Sequence, residues 1–246
     1  MRTSGGRRKA ITAAAITGLV VASIGTATTS QAAPKETRKP TATTSAAAAK
    51  PVAKPSSKTK KNSKVVYLTF DDGPSPKYTP QVLNLLKQHN AKATFFVLGG
   101  NAKNNPSLIK QIRAGGHAIG NHTYTHPWLT KIAPNRIANE LTSTDAAIGS
   151  RTSCMRPPGG FVNQTVRNAV AKQGKKVVMW TVDASDWSRP GVNTIVNRVM
   201  KNTRNGSIVL MHDGGGPRSQ SVAALGQVLP KLAKAGYRFE TLPQCR

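Results

Sequence analysis

Val65-Val66-Tyr67-Leu68-Thr69-Phe70-Asp71-Asp72-Gly73-Pro74 is the stretch whose reading decides the fold. A run of β-branched, aromatic and aliphatic residues reads as a buried strand. It stops at a Gly-Pro turn, and two adjacent carboxylates stand at that stop. Neighbouring carboxylates repel each other and lose hydration when partly buried. A metal ion or an arginine offsets that cost. The pair therefore reads as a division of labour, one carboxylate binding a metal and the other taking a proton from water.

Outward from this strand, short apolar runs alternate with helical patterns. Strands are predicted at 65–70, 93–98, 117–120, 153–156, 176–182, 207–211 and 237–241, and helices at 79–89, 106–114, 134–148, 163–173, 191–203 and 220–235. Pro80 and Pro106 fit first helical turns, and Gly115-Gly116 marks a stop. Repeats of the βα type argue for a parallel sheet with crossover helices, either a barrel or an open doubly wound sheet. Both gather chemistry at the C-terminal ends of the strands. Unusual polar residues do follow strands here: Asp71-Asp72, His122 and His126, Arg156, Asp183 and Asp186, and His212-Asp213. A barrel brings these ends around one mouth.

The chain of 246 residues carries 36 Lys/Arg against 9 Asp/Glu, a net +27. Its first 32 residues read as a signal peptide. Arg2, Arg7, Arg8 and Lys9 form a basic start, small apolar residues follow, and Ser30-Gln31-Ala32 suits cleavage after Ala32. The apolar run is short and broken by Thr, Ser and Gly, so no stable membrane span is expected after cleavage. Residues 33–63 are an Ala/Thr/Pro/Lys-rich linker with no aromatic residue, too polar to offset the entropy of ordering. It is either a basic tether to anionic cell-wall polymers or a plain spacer. Residues 64–246 are long enough for one sizeable core. Their positive charge would suggest nucleic acid, but an exported chain points instead to anionic envelope polymers or acidic glycans. A secreted or wall-associated location follows. In that compartment the two cysteines, Cys154 and Cys245, are expected to form one disulfide.

His122-Thr123-Tyr124-Thr125-His126 places two imidazoles four residues apart, which on a helical turn puts both on one face within reach of one metal. With a carboxylate from another strand end they make a two-His, one-carboxylate set that leaves positions open for water and substrate. In Arg156-Pro157-Pro158-Gly159-Gly160 the prolines stiffen the segment, and the glycines let backbone approach a ligand. A fixed guanidinium there pairs with a carboxylate and keeps it ionised. A carboxylate from Asp183-Ala184-Ser185-Asp186-Trp187 beside His212 would raise the imidazole pKa and keep it protonated. Trp187 either walls an apolar pocket or packs in the core.

With these motifs in this order, from about Val65 to Leu242, the chain resembles the polysaccharide deacetylases of the NodB-homology type, carbohydrate esterase family 4. The resemblance implies an α/β fold, a distorted TIM-barrel-like (β/α)7 barrel in a single catalytic domain. It implies a divalent metal, usually zinc, with cobalt or manganese accepted by the same ligands, and an acetylated glycan as substrate. Carried over residue by residue, Asp71 is the general base. Asp72, His122 and His126 are the metal ligands. Arg156 orients the base, and His212 is the general acid. The carboxylate that supports His212 is Asp186 rather than Asp183. Gly159 supplies an oxyanion-binding N–H, and Leu210 and Trp187 line the acetyl pocket. One departure stands out, because the family usually has an aromatic residue where this chain has Gly159; Phe161 is the nearest ring that could replace it. The expected reaction is N-deacetylation of chitin oligomers or peptidoglycan, with O-deacetylation of acetylxylan or a non-catalytic wall-binding role as alternatives.

Overall fold

The computed structural model describes residues 64–246, so the expected signal peptide and linker lie outside the described residues. The strands are β1 (Lys64–Asp71), β2 (Ala93–Val97), β3 (Ala118–Asn121), β4 (Cys154–Met155), β5 (Lys176–Val177), β6 (Val182–Asp183), β7 (Ser207–His212) and β8 (Tyr237–Phe239). The helices are α1 (Thr79–Gln88), α2 (Gly99–Asn104), α3 (Pro106–Ala114), α4 (Pro134–Ile148), α5 (Gln164–Lys172), α6 (Val192–Asn202) and α7 (Ser219–Lys234). All pairings are parallel, in the order β5-β4-β3-β2-β1-β7-β6. The opening strand is thus the centre of the sheet. β7 runs along one side of β1, with Asp71 level with His212. β2 takes the C-terminal half of the other side, and β8 the N-terminal half. The result is a partly closed barrel wrapped by helices, the distorted (β/α)7 form expected.

The sheet's apolar residues bury Leu68, Phe70, Phe95, Val209 and Met211 beneath the helices, and Phe70 stacks on Phe95 with centroids 5.2 Å apart. The helices other than α2 add apolar stripes, such as Val82 and Leu86 on α1 or Leu225, Val228 and Leu229 on α7. The expected signals hold, with Pro80 and Pro106 in the first turns of α1 and α3 and Gly115 ending α3. Asn163 accepts the Val166 N–H to cap α5, and Gly149 ends α4 at φ 77°. Cys154 and Cys245 are bonded, with Cα atoms 5.0 Å apart, so the C-terminal turn is tied beside β4. Among the described residues no helix is long and apolar enough to cross a membrane.

Two expectations need correction. The strand predicted at 176–182 is two strands, because β5 pairs with β4 and β6 with β7, at opposite ends of the sheet path. One straight strand cannot reach both, so Val178–Thr181 bridges the two edges. Helix α2 had no place in the sequence reading. It opens with Gly99-Gly100 and buries only Gly99 and Ala102, so it carries no apolar period. A side chain at Gly99 would meet the Tyr124 ring and Thr144, which is why this short helix can lie so close to the loop after β3.

Candidate active site

The split between β5 and β6 creates the first element of the site. It leaves the carbonyls of Val178 and Met179 without strand partners, and the Arg156 guanidinium takes both, Nε donating to Val178 O (3.2 Å) and Nη2 to Met179 O (3.1 Å). Nη1 donates to Asp71 Oδ1 and to Thr69 Oγ1, each at 2.8 Å. Arg156 is fully buried, with its charge 4.1 Å from the centroid of Phe96 and 5.6 Å from that of Trp180. A guanidinium so fully committed has one orientation. It holds Asp71 by one oxygen and leaves Oδ2 facing the histidines, 3.8 Å from His122 Nε2.

Asp72, His122 and His126 converge beside it, their ligand atoms within 4.8 Å of one another. Asp72 Oδ1 lies 3.4 Å from His122 Nε2 and 3.3 Å from His126 Nε2. That oxygen is buried and has no hydrogen-bond partner. His122 Nδ1 is 2.7 Å from the Arg156 carbonyl, which only accepts, so Nδ1 carries the proton and Nε2 offers a lone pair toward Asp72. Lone pairs converging on one buried point fit a cation held among them. Burial alone would raise the Asp72 pKa, but the neighbouring imidazoles when protonated, His122 foremost, more than offset it and hold the carboxyl well below its usual range. Burial, then the charge of His122, lower the His126 pKa and favour the neutral ring that ligation requires.

The two histidines do not sit on a helical turn, as the spacing implied. They lie on a loop after β3, with Thr123 at φ 70° and His126 at φ 63°. Asp72 is also left-handed, at φ 70°. Non-glycine residues there are strained, and such strain persists where surroundings enforce it. The enforcement comes from Glu140 on α4, which accepts from the Tyr124 and Thr125 N–H groups at 2.7 and 2.8 Å and from Thr125 Oγ1 at 2.7 Å. Across the mouth, Gly214 and Gly215 press on Asp72, where any Cβ would collide with its backbone or carboxylate.

On the other side of the site, His212 Nδ1 is 2.7 Å from Asp186 Oδ1, and the His212 N–H donates to Asp186 Oδ2 at 2.9 Å. Ser221 Oγ donates to the same Oδ2 at 2.5 Å. Burial would lower the His212 pKa, but the hydrogen bond and charge of Asp186, with Asp71 and Asp72 behind it, raise it above the ordinary value. Asp186 is held low in turn: burial works against ionisation, and His212 and Ser221 overcome it. Asp183 is excluded from this role, since it is exposed and accepts the N–H of Ser185 in its own turn.

These groups share one cleft of about 710 Å³, whose wall includes Gly159, Leu210 and Trp187. Leu210 is buried, whereas Trp187 is exposed on the cleft wall rather than packed in the core. Every predicted site residue except the two cysteines lines this cleft or holds a residue that does.

A family model described as polysaccharide deacetylase matches residues 58–178. A peptidoglycan-N-acetylglucosamine deacetylase of Bacillus cereus is 45% identical over 188 residues, covering 74% of this chain and 88% of that protein. The chain belongs to the polysaccharide deacetylase family. A chitooligosaccharide deacetylase of a Bradyrhizobium species is 42% identical over 200 residues, covering 74% of this chain and 90% of that protein. Among solved structures, a family 4 carbohydrate esterase from Streptomyces lividans in complex with acetate matches with a TM-score of 0.69 and 36% identity, over 74% of this chain and 94% of that one. A family 4 pseudoenzyme from Bacillus anthracis also matches, with a TM-score of 0.68 and 33% identity over 75% of this chain and 66% of that one. Activity in this family is therefore argued from the site itself.

Sequence reasoning missed Thr69, Glu140 and Ser221, which hold the functional residues in place. Thr and Ser carry no signal of their own. Glu140 had one, as a rare acid in a basic chain. The sequence places Asp213 after a strand but gives it no role; it is fully buried beside the site. Asp213 Oδ2 accepts from Thr79 Oγ1 at 2.5 Å, while Oδ1 has no partner. Burial first, then the charges of Asp72 and Asp71, push its pKa up to about 7 against the opposing Thr79 hydrogen bond.

Proposed function

We propose that this polysaccharide deacetylase-family protein is an exported, divalent-metal-dependent enzyme that hydrolyses N-acetyl groups of N-acetylglucosamine-type glycans, chitin oligomers or peptidoglycan. The observation that carries the reading is the unpartnered, buried Asp72 Oδ1 facing His122 and His126, between an Arg-held carboxylate and an Asp-held imidazole. A non-catalytic relic has no reason to keep that full set. Asp72, His122 and His126 would hold the ion, zinc by preference of the donor set and cobalt or manganese as substitutes. When bound, the metal supplies Lewis-acid activation of water and of the acetyl carbonyl.

Asp71 uses its free Oδ2 to take one proton from the attacking water, while Arg156 holds Oδ1 and keeps the group ionised. The water oxygen bonds to the acetyl carbon. Gly159 lets backbone rather than side chain face the developing oxyanion. His212, kept protonated by Asp186, gives its proton to the departing nitrogen as the C–N bond breaks. An amine is a poor leaving group, so this acid matters more for amides than for esters. Acetate and a free glucosamine amine result. Leu210 and Trp187 border the space for the acetyl methyl.

The basic, apolar and small-residue pattern of residues 1–32 supports export, and the basic linker at 33–63 supports association with anionic wall polymers. The test is a mass-spectrometric assay with the zinc-loaded protein on chitin oligomers, peptidoglycan fragments and acetylxylan. Stepwise loss of acetyl from the N-acetylated glycans, abolished by chelation, is expected. Turnover of acetylxylan alone would overturn the reading.

A further inference from the structure

Among the described residues, the large apolar side chains left exposed are Trp128 (55%), Phe161 (46%) and Trp187 (57%). All three line the active-site cleft. Exposed apolar surface concentrated in one concave place marks a binding surface rather than chance. Trp187 borders the acetyl pocket. Trp128 and Phe161 stand elsewhere, on the two segments that carry His126 and Gly159. Their rings touch each other, with centroids 4.9 Å apart and planes inclined by 51°.

Gly159 accounts for the position of Phe161. It is left-handed, at φ 63°, and a Cβ built on it would lie 2.8 Å from the Phe161 ring. The Phe161 ring therefore occupies the space that a side chain at 159 would need. The wall that this chain lacks at 159 is rebuilt from two residues further on, and Trp128 extends it outward.

We propose that Trp128 and Phe161 together form a platform for the pyranose ring adjacent to the one that loses its acetyl group, taking over the wall that Gly159 leaves open. A pyranose presents a face of C–H groups, and the negative face of an aromatic ring attracts them while both surfaces leave water. The platform is continuous with the cleft that holds Asp71 and His212, which places its occupant on the same glycan as the reacting sugar. This inference rests on the deacetylase reading.

The test compares wild type with W128A, F161A and the conservative W128F and F161Y on N-acetylglucosamine monomer and tetramer, together with calorimetric binding of the tetramer. Loss of one ring should lower the tetramer-to-monomer ratio of kcat/KM roughly three- to tenfold, through KM, and raise the tetramer Kd by a similar factor. W128F and F161Y should keep most of the wild-type ratio, which separates stacking from a general loss of structure. An unchanged ratio and an unchanged Kd in both alanine variants would overturn the proposal. So would equal losses on monomer and tetramer. Failure of the deacetylase reading looks different, as tetramer binding by the wild type without acetyl release.

Discussion

Replacing Asp71 with Asn separates the chemistry of the site from its stability. The substitution keeps the shape of the side chain and removes its charge and basicity. A positioned general base contributes about 10²- to 10⁴-fold, or about 3–5 kcal/mol of barrier, so kcat should fall by that factor. The metal should stay, because Asp71 stands outside the Asp72, His122, His126 set. Stability should fall as well. Among the described residues Asp71 is the only carboxylate paired with the fully buried Arg156, and deleting one partner of a buried pair costs about 3–5 kcal/mol. The Asn oxygen still accepts the Nη1–H, which places the loss near the lower end, about 3 kcal/mol. For a domain of this size that is a drop of roughly 6–12 °C in Tm. The double variant D71N/R156M should lose less than the sum of the two single losses, because it removes the stranded charge along with its partner. The assay is kcat on acetylated chitooligomers, with metal content and urea unfolding measured on the same preparations. A D71N protein that turns over near the wild-type rate would refute Asp71 as base. One that loses its metal would refute the division of roles between Asp71 and Asp72.

Two further predictions concern pH. In the wild type the alkaline limb of the rate profile should lie above the ordinary histidine value, because Asp186 raises the His212 pKa. In D186N burial acts with less opposition, and the limb should move to lower pH; an unmoved limb would remove His212 as the acid. The same raised pKa means that the Asp186–His212 pair contributes stability fully below about 6.5 and loses it as pH rises through the folded-state value, so D186N should lose more stability at pH 6 than at pH 9. Asp213 works in the opposite sense. Its folded pKa of about 7 lies above the unfolded 3.8, so metal-free protein should be most stable below pH 4 with respect to this group and lose stability up to pH 7. A shift of about three units corresponds to roughly 4 kcal/mol at most. Urea unfolding at pH 5 and pH 8 should show a smaller fall in D213N than in the wild type, and parallel slopes would refute the assignment. The comparison is made without metal because a bound dication nearby favours the ionised form.

The sequence by itself determined the alternation of strands and helices and the placing of Asp71, Asp72, His122, His126, Arg156 and His212 after strands. Each of these has a local signature: apolar periods, proline and glycine stops, and rare polar residues placed just after strands. The tertiary structure decided what depends on distant neighbours. Strand 176–182 broke in two because its partners lie at opposite edges of the sheet, and Arg156 fills the gap with two of its N–H groups while a third pairs Asp71. The motif order already favoured Asp186 over Asp183 as the partner of His212, and the fold supplies the reason, since Asp186 accepts from the His212 N–H on β7 and from Ser221 on α7. The His122–His126 segment is a strained loop rather than a helical turn because Glu140, on another element, takes its N–H groups. Gly159 looked like a lost wall in the sequence. In the fold, Phe161 and Trp128 stand in its place, since side chains fill space according to where the backbone turns and not according to their order along it.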